Sequence, residues 1–400
     1  MLTTVEATDA IAAAMPAFET TEVALGEATG RVLHQAVIAE RDQPPFDRVT
    51  MDGIAIQYAS FESGNRQFAI ESRQHAGEPK HTLTDNSGCI EIMTGAVLPG
   101  NTDCIVPVER IQVENAVATI VPGYEARLRQ SIHPQGSDHK KDHQILQPGH
   151  CVEAVDIAVI ASCGLDAVKV SEQPVIRVIS TGNELVAAGA PIDTHQIRMS
   201  NGPALVAMLE SHGFSNCEHD HIPDDIDALK HRLAQHLLES NVLVLSGGVS
   251  MGKADFVPEV LAQLGVTVVF HKISQRPGKP MWFGIGPENQ AVFALPGNPV
   301  STLVCCRQYV LPALAKASGR VLRPAETAVL AESYSFKPAL TCFLPIRLGS
   351  DGDGRLIATP VATNTSGDLA ALSGTDGYIE LPKDSNEFDA GSTWPLHRWK

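Results

Sequence analysis

Between Pro174 and Val300 the chain repeats one arrangement that few folds accommodate, a short apolar run halted by Gly, Pro or acidic residues. The segments are VIRVISTGNE, HIPDD, VLVLSGGVSMGKAD, QRPGKP and AVFALPGNP. Short runs without polar alternation read as strands buried on both faces, opening at their carboxyl ends into polar loops. Between them, helical spacing recurs at 201–212, 225–239, 254–264 and 298–317. Alternating strands and helices predict a doubly wound parallel α/β sheet, with five loops gathered at one edge.

The flanks differ. Residues 2–20 show helical spacing with Val5, Ile11, Ala12 and Met15 on one side, and the prolines of RDQPPFDRVTMDG then break regular structure. From Phe46 to Asp138 short β-type runs are separated by Gly, Pro and Asn, and 149–163 returns to helix spacing. After Arg323-Pro324 the pattern is again strands. The expectation is a multidomain α/β plus β chain: 1–45 with 139–172 as a discontinuous N-terminal domain, 46–138 as a mainly β insert, 173–322 as the central α/β domain, and 323–400 as a C-terminal β-barrel-like domain. There is no internal repeat.

Bulk properties exclude several classes. A formal net charge of −16 over 400 residues argues against a nucleic-acid surface, which needs clustered Lys and Arg. The acidic amino terminus lacks a basic leader region, and no apolar window approaches the roughly 20 residues of a membrane span. Eight scattered cysteines without a C-x-x-C pair fit buried small hydrophobes. A reduced, soluble, cytoplasmic protein is expected.

Chemistry concentrates in the loops. In SGGVS, Gly247, Gly248 and Ser250 can turn backbone N–H groups inward as an anion cradle, although the segment also fits a plain tight turn. Lys253 is followed by Ala254, so this is not a P-loop. Glu184, Asp224, Asp225 and Asp255 put carboxylates at three strand ends, a pattern suited to Mg²⁺ completed by substrate phosphates, while each acid singly also fits a helix cap. Lys272, Arg276 and Lys279, stiffened by Pro277 and Pro280, suit a small oxyanion, or else form a solvated basic loop. In LPGNPVS, Pro296 and Pro299 shape a rigid turn ahead of Ser301. His139 with His143, and His219 with His221, read as exposed polar surface, and Asp351-Gly352-Asp353-Gly354 as a hairpin turn. No G-x-S-x-G elbow or Cys–His pairing argues for covalent catalysis.

In order along the chain, MDGIAI, IMTGAVLPG, STGNEL, SGGVSMGKADF, RPGKP and LPGNPVS resemble the molybdopterin molybdenumtransferase family, which includes bacterial MoeA and the gephyrin E domain. The resemblance runs from about residue 5 to residue 383. It implies a homodimer with a shared active site that inserts molybdate into adenylated molybdopterin, releasing AMP with Mg²⁺ present. Carried over, Asp52 and Thr94 come from the insert, and Glu184, Asp224, Asp255, Lys272, Arg276 and Lys279 from the α/β domain. Ser366 comes from the last domain, and Glu184 and Asp255 are associated with the metal. Other readings within reach are a scaffold or tungstate-preferring paralogue, and a molybdopterin adenylyltransferase, which the resemblance also offers as a partner. The chain departs from the family pattern at Ile54, where Tyr is usual, at Gln275-Arg276 in place of Met/Ile-Lys, at His133 in place of Arg, and in the His-rich stretch Ser137–Lys140.

Overall fold

The computed structural model describes residues 1–248 and 256–400. Chain contacts divide it into two compact units, residues 1–34, 148–153 and 168–400, and residues 35–147 with 154–167.

In the first unit, strands Cys217–Ile222, Ile176–Thr181, Val242–Ser246 and Ala291–Leu295 lie side by side and parallel, in that order. Trp282–Ile285 and Thr267–His271 complete a six-stranded sheet. Trp282–Ile285 runs antiparallel to both neighbours, a strand the sequence pattern does not announce. Its reversal puts the 272–281 connection at the same edge as the loops after Thr181, Ile222, Ser246 and Leu295. The five expected loops therefore leave one edge of a mixed sheet rather than a wholly parallel one.

Strand periodicity explains the two helical layers. Ile176, Val178, Val242, Val244, Phe293 and Leu295 face helices Thr4–Ala14, Asn201–Ser211 and 299–317, while Ile179, Leu243, Leu245, Val292 and Ala294 face Ile226–Glu239 and Val257–Gln263. The first helix ends at Ala14, earlier than its spacing suggested, and buries Thr4, Ala7 and Ile11 while Val5 stays 66% exposed. The expected apolar side is thus turned by about one residue position. Within 299–317 the helix widens to a π-turn over Cys306–Val310, just ahead of Pro312, which has no N–H to donate to the preceding turn.

Beyond Arg323, strands Thr341–Ser350, Leu356–Pro360, Glu326–Leu330, Thr393–Arg398 and Gly377–Leu381 pair in a ring that closes between the first and last, a five-stranded barrel. Cys342, Leu344 and Ile346 fill its interior, and Phe343 points outward with Tyr378 against Val300 and Val304. Asp351 turns the hairpin by accepting from the backbone of Asp353 and Arg355.

In the second unit, strands Cys104–Pro107, Gly53–Ile56, Cys89–Ile92, Gln67–Gln74, Val117–Ile120 and Ile111–Glu114 make a six-stranded mixed sheet in that order. Gly53 is required by close approach, because a Cβ there would lie 2.0 Å from Val106 O.

Phe293 is fully buried, its ring 4.7 Å from that of Phe283. Phe293→Ala should cost about 3–5 kcal/mol of unfolding free energy, read by urea denaturation.

Candidate active site

The register places Thr181 opposite Ile222, and Ser246 opposite Ser180 and Leu295, so the loops that follow start level with one another. His221 Nε2 donates to Gly182 O at 2.8 Å, and the Glu184 carboxylate folds back over the same glycine, 2.6 Å from where a Cβ would stand. His219 Nε2 meets Ser180 Oγ at 2.9 Å. These histidines are therefore half-buried braces of the loop carrying Glu184, not the exposed polar surface their sequence suggested. On the opposite strand face Asp220 Oδ2 holds Arg232 and His236, each at 2.7 Å.

The two acids after Ile222 separate in role. Asp225 caps helix Ile226–Glu239 by accepting from Ala228 N, whereas Asp224 N donates to Asn183 Oδ1 at 3.1 Å and ties its loop to the Glu184 loop. Gly247 and Gly248 have φ of +99° and +65°, and a Cβ at either would fall within 3 Å of Thr181 O or Val257 Cγ2, so this turn needs glycine at both. Ser250 and Asp255 lie outside the described residues.

Sequence reasoning missed the residue that joins the end of the Val242–Ser246 strand to the 296–302 segment. Asn201 Nδ2 donates to Ser246 Oγ at 2.9 Å, Gly297 O at 2.7 Å and Thr302 Oγ1 at 3.2 Å, so one amide links three segments. Its only signal is a polar residue opening a helix, which reads equally as a cap. Thr302, fully buried, donates to Pro296 O. Pro296 is buried, Pro299 begins the helix, and Ser301 is buried two residues on. Ser366 is brought here from the barrel segment, its Oγ accepting from Asn298 Nδ2 at 2.8 Å and its carbonyl from Val300 N at 3.1 Å.

The cationic loop is closed by backbone bonds. Lys272 N donates to Met281 O at 2.9 Å and Ile273 N to Lys279 O at 2.9 Å, so Lys272 and Lys279 flank one narrow neck. Lys272 holds a left-handed φ of +77°. Arg276 and Lys279 are exposed, and Gln275–Arg276 lies parallel to Thr341–Cys342 of the barrel. Among the described residues no carboxylate forms an ion pair with Lys272, Arg276 or Lys279. Three cations without an ion pair among the described residues thus share one loop of a strongly acidic protein.

In the second unit, Asp52 and Thr94 meet directly. Asp52 Oδ1 accepts from Thr94 N and Thr94 Oγ1, both at 2.7 Å, and these bonds, the backbone one foremost, hold its carboxyl below the ordinary carboxylate range.

Known proteins give this geometry a context. Residues 2–164 match the MoeA N-terminal region (domain I and II), residues 177–316 a probable molybdopterin binding domain, and residues 327–397 the MoeA C-terminal region (domain IV). A molybdopterin molybdenumtransferase of Synechocystis is 37% identical over 400 residues, covering all of both chains. The chain belongs to the molybdopterin molybdenumtransferase family. The Synechococcus elongatus transferase is 36% identical over 340 residues, covering 82% of this chain and 83% of the relative. The molybdopterin biosynthesis MoeA protein of Pyrococcus horikoshii superposes with a TM-score of 0.83 at 28% identity, covering 100% of this chain and 99% of that one.

Against the family pattern, the departures fall in different surroundings. Ile54 is fully buried among Ile56, Phe61, Phe68 and Val106, so it belongs to the insert core. His133 bridges Asp138 Oδ1, at 3.0 Å from Nε2, and Arg48 Nη2, at 3.2 Å from Nδ1. His139 and His143 stack with ring centroids 5.5 Å apart, and among the described residues no group of three or more His, Cys, Asp or Glu stands close enough to hold a metal.

Because the folded Asp52 pKa lies below its unfolded value, its bonds to Thr94 favour the folded unit fully above about pH 4 and fade as the pH falls through the folded value. Thr94→Val removes the hydroxyl but keeps the backbone donor. NMR titration of the carboxyl carbon should therefore show the Asp52 pKa rising part of the way to normal, and an unchanged pKa would contradict this account.

Proposed function

We propose that the chain is a molybdopterin molybdenumtransferase that inserts molybdate into adenylated molybdopterin and releases AMP. The observation that carries the reading is the single sheet edge where Glu184, Asp224, the Gly247–Gly248 turn and the cationic loop emerge together. Molybdate is a tetrahedral dianion, and Lys272, Arg276 and Lys279 supply the compensating charge. Gly247, Gly248 and Ser250 would hold the phosphates through backbone N–H groups, with Pro296, Pro299, Ser301 and Ser366 forming the wall beside them.

Mg²⁺ fits this donor set, because it takes one or two carboxylates and completes its shell with water and phosphate oxygens. Glu184 and Asp255 are the proposed protein ligands, and the bound ion would neutralise charge on the pyrophosphate link as that link breaks. Asp224 orients the Glu184 loop through Asn183. No nucleophilic side chain is needed, since positioning and charge neutralisation supply the rate.

The same reading includes a cytoplasmic homodimer, in which the Asp52–Thr94 pair of one copy completes the site of the other, and substrate delivery by a molybdopterin adenylyltransferase. It is supported by the full-length family match. The division into 1–45 with 139–172, 46–138, 173–322 and 323–400 is proposed on the separate insert core and the barrel that follows Arg323. No helix among the described residues is long and apolar enough to cross a membrane.

A single-turnover mixture of protein, adenylated molybdopterin, Mg²⁺ and molybdate should release one AMP per site and yield cofactor that activates a molybdenum-free apoenzyme. Failure of both would overturn the proposal. Lys279→Ala should slow AMP release about 10²-fold without loss of folded protein. Normal cofactor production in cells carrying Asp255→Ala would instead assign the chain a binding role.

A further inference from the structure

We propose that Gln275 and Tyr309 are positioning residues for the cationic loop, a buried amide–phenol pair that sets where Arg276 and Lys279 stand. The inference rests on the oxyanion role given to that loop. Gln275 is fully buried and Tyr309 is 2% exposed, within the same core as Cys305 and Cys306. Tyr309 donates its hydroxyl to Gln275 Oε1, leaving the amide's two hydrogens for other acceptors. Nε2 donates to Pro277 O at 3.0 Å and contacts Cys305 Sγ at 3.6 Å, and that thiol in turn donates to Gly278 O at 3.7 Å. The loop backbone is pressed onto this group, since a Cβ at Gly278, whose φ is +96°, would lie 2.4 Å from Cys305 Sγ and 2.6 Å from Gln275 Nε2.

The loop's own composition explains why an outside donor is needed. Pro277 and Pro280 carry no N–H, so Arg-Pro-Gly-Lys-Pro has few donors for its own carbonyls. Burying a primary amide and a phenol in an apolar core costs free energy unless both are bonded, and stability alone would favour apolar residues there. The pair uses its bonding capacity on each other and on the carbonyl between Arg276 and Gly278. Burial also raises the Tyr309 pKa, which keeps the phenol protonated and donating.

Two variants separate positioning from folding. Gln275→Met alone strands the Tyr309 hydroxyl and should destabilise the protein, whereas Gln275→Met with Tyr309→Phe removes both polar groups and should recover most of the lost stability. In that double variant KM for molybdate should rise about tenfold with kcat within about twofold, the split expected when bound-state positioning is lost. Hydrogen exchange at the Gly278, Lys279 and Met281 amides should quicken about tenfold, with the sheet amides unchanged. A double variant with wild-type KM and wild-type loop exchange would overturn the inference. If the wild-type protein releases no AMP, the proposed function falls, and loop exchange alone then decides whether the pair positions the loop.

Discussion

Strands that are apolar on both faces carry little information about their own register, because a slip of one residue exchanges one greasy surface for another. In the central sheet that information sits at the strand ends. Asn241 opens its strand by accepting from Val175 N through its side chain, while its backbone N–H donates to Val175 O and its carbonyl accepts from Ala291 N. At the other end the Asn201 amide binds Ser246, Gly297 and Thr302. Asn241 thus ties three adjacent strands at one edge, and Asn201 ties the ends of two of them at the other.

Polar bracing continues outward from that edge. His221 holds the Gly182 carbonyl, Asn183 takes the Asp224 amide, and Asn298 reaches Ser366, so the loops after Thr181, Ile222 and Leu295 are each fixed to a neighbour by a side-chain bond. The cationic loop is held differently, from beneath, by Gln275 and Tyr309. Loops that carry charge toward a substrate lose specificity if they move, and bonds to the backbone restrain them without occupying the charged groups.

What the sequence reveals and conceals follows from the range of the interactions. Strand ends and loops stand out at STGNEL, SGGVS and LPGNPVS because Gly and Pro are demanded locally by backbone geometry. The α/β class, the β insert and the terminal barrel are legible for the same reason. Trp282–Ile285 is hidden because WFGI follows a proline-rich loop at once and has no helix to announce a crossover. Asn201 and Gln275 are hidden because their meaning depends on partners up to 101 and 34 residues away, respectively. His219 and His221 look like surface because polarity alone does not show that their ring nitrogens are spent on Ser180 and Gly182. Asp224 and Asp225 are indistinguishable as neighbours in a sequence until one is seen to cap and the other to cross-link.

The strand pairing between Gln275–Arg276 and Thr341–Cys342 changes how the terminal barrel is understood. A closed ring has no edge to offer for its own stability, yet this one lends the flank of its longest strand to the cationic loop of the same compact unit. The barrel therefore serves the α/β unit as a splint. A segment carrying the charged residues but cut off before Thr341 would lose the strand against which Gln275–Arg276 is paired.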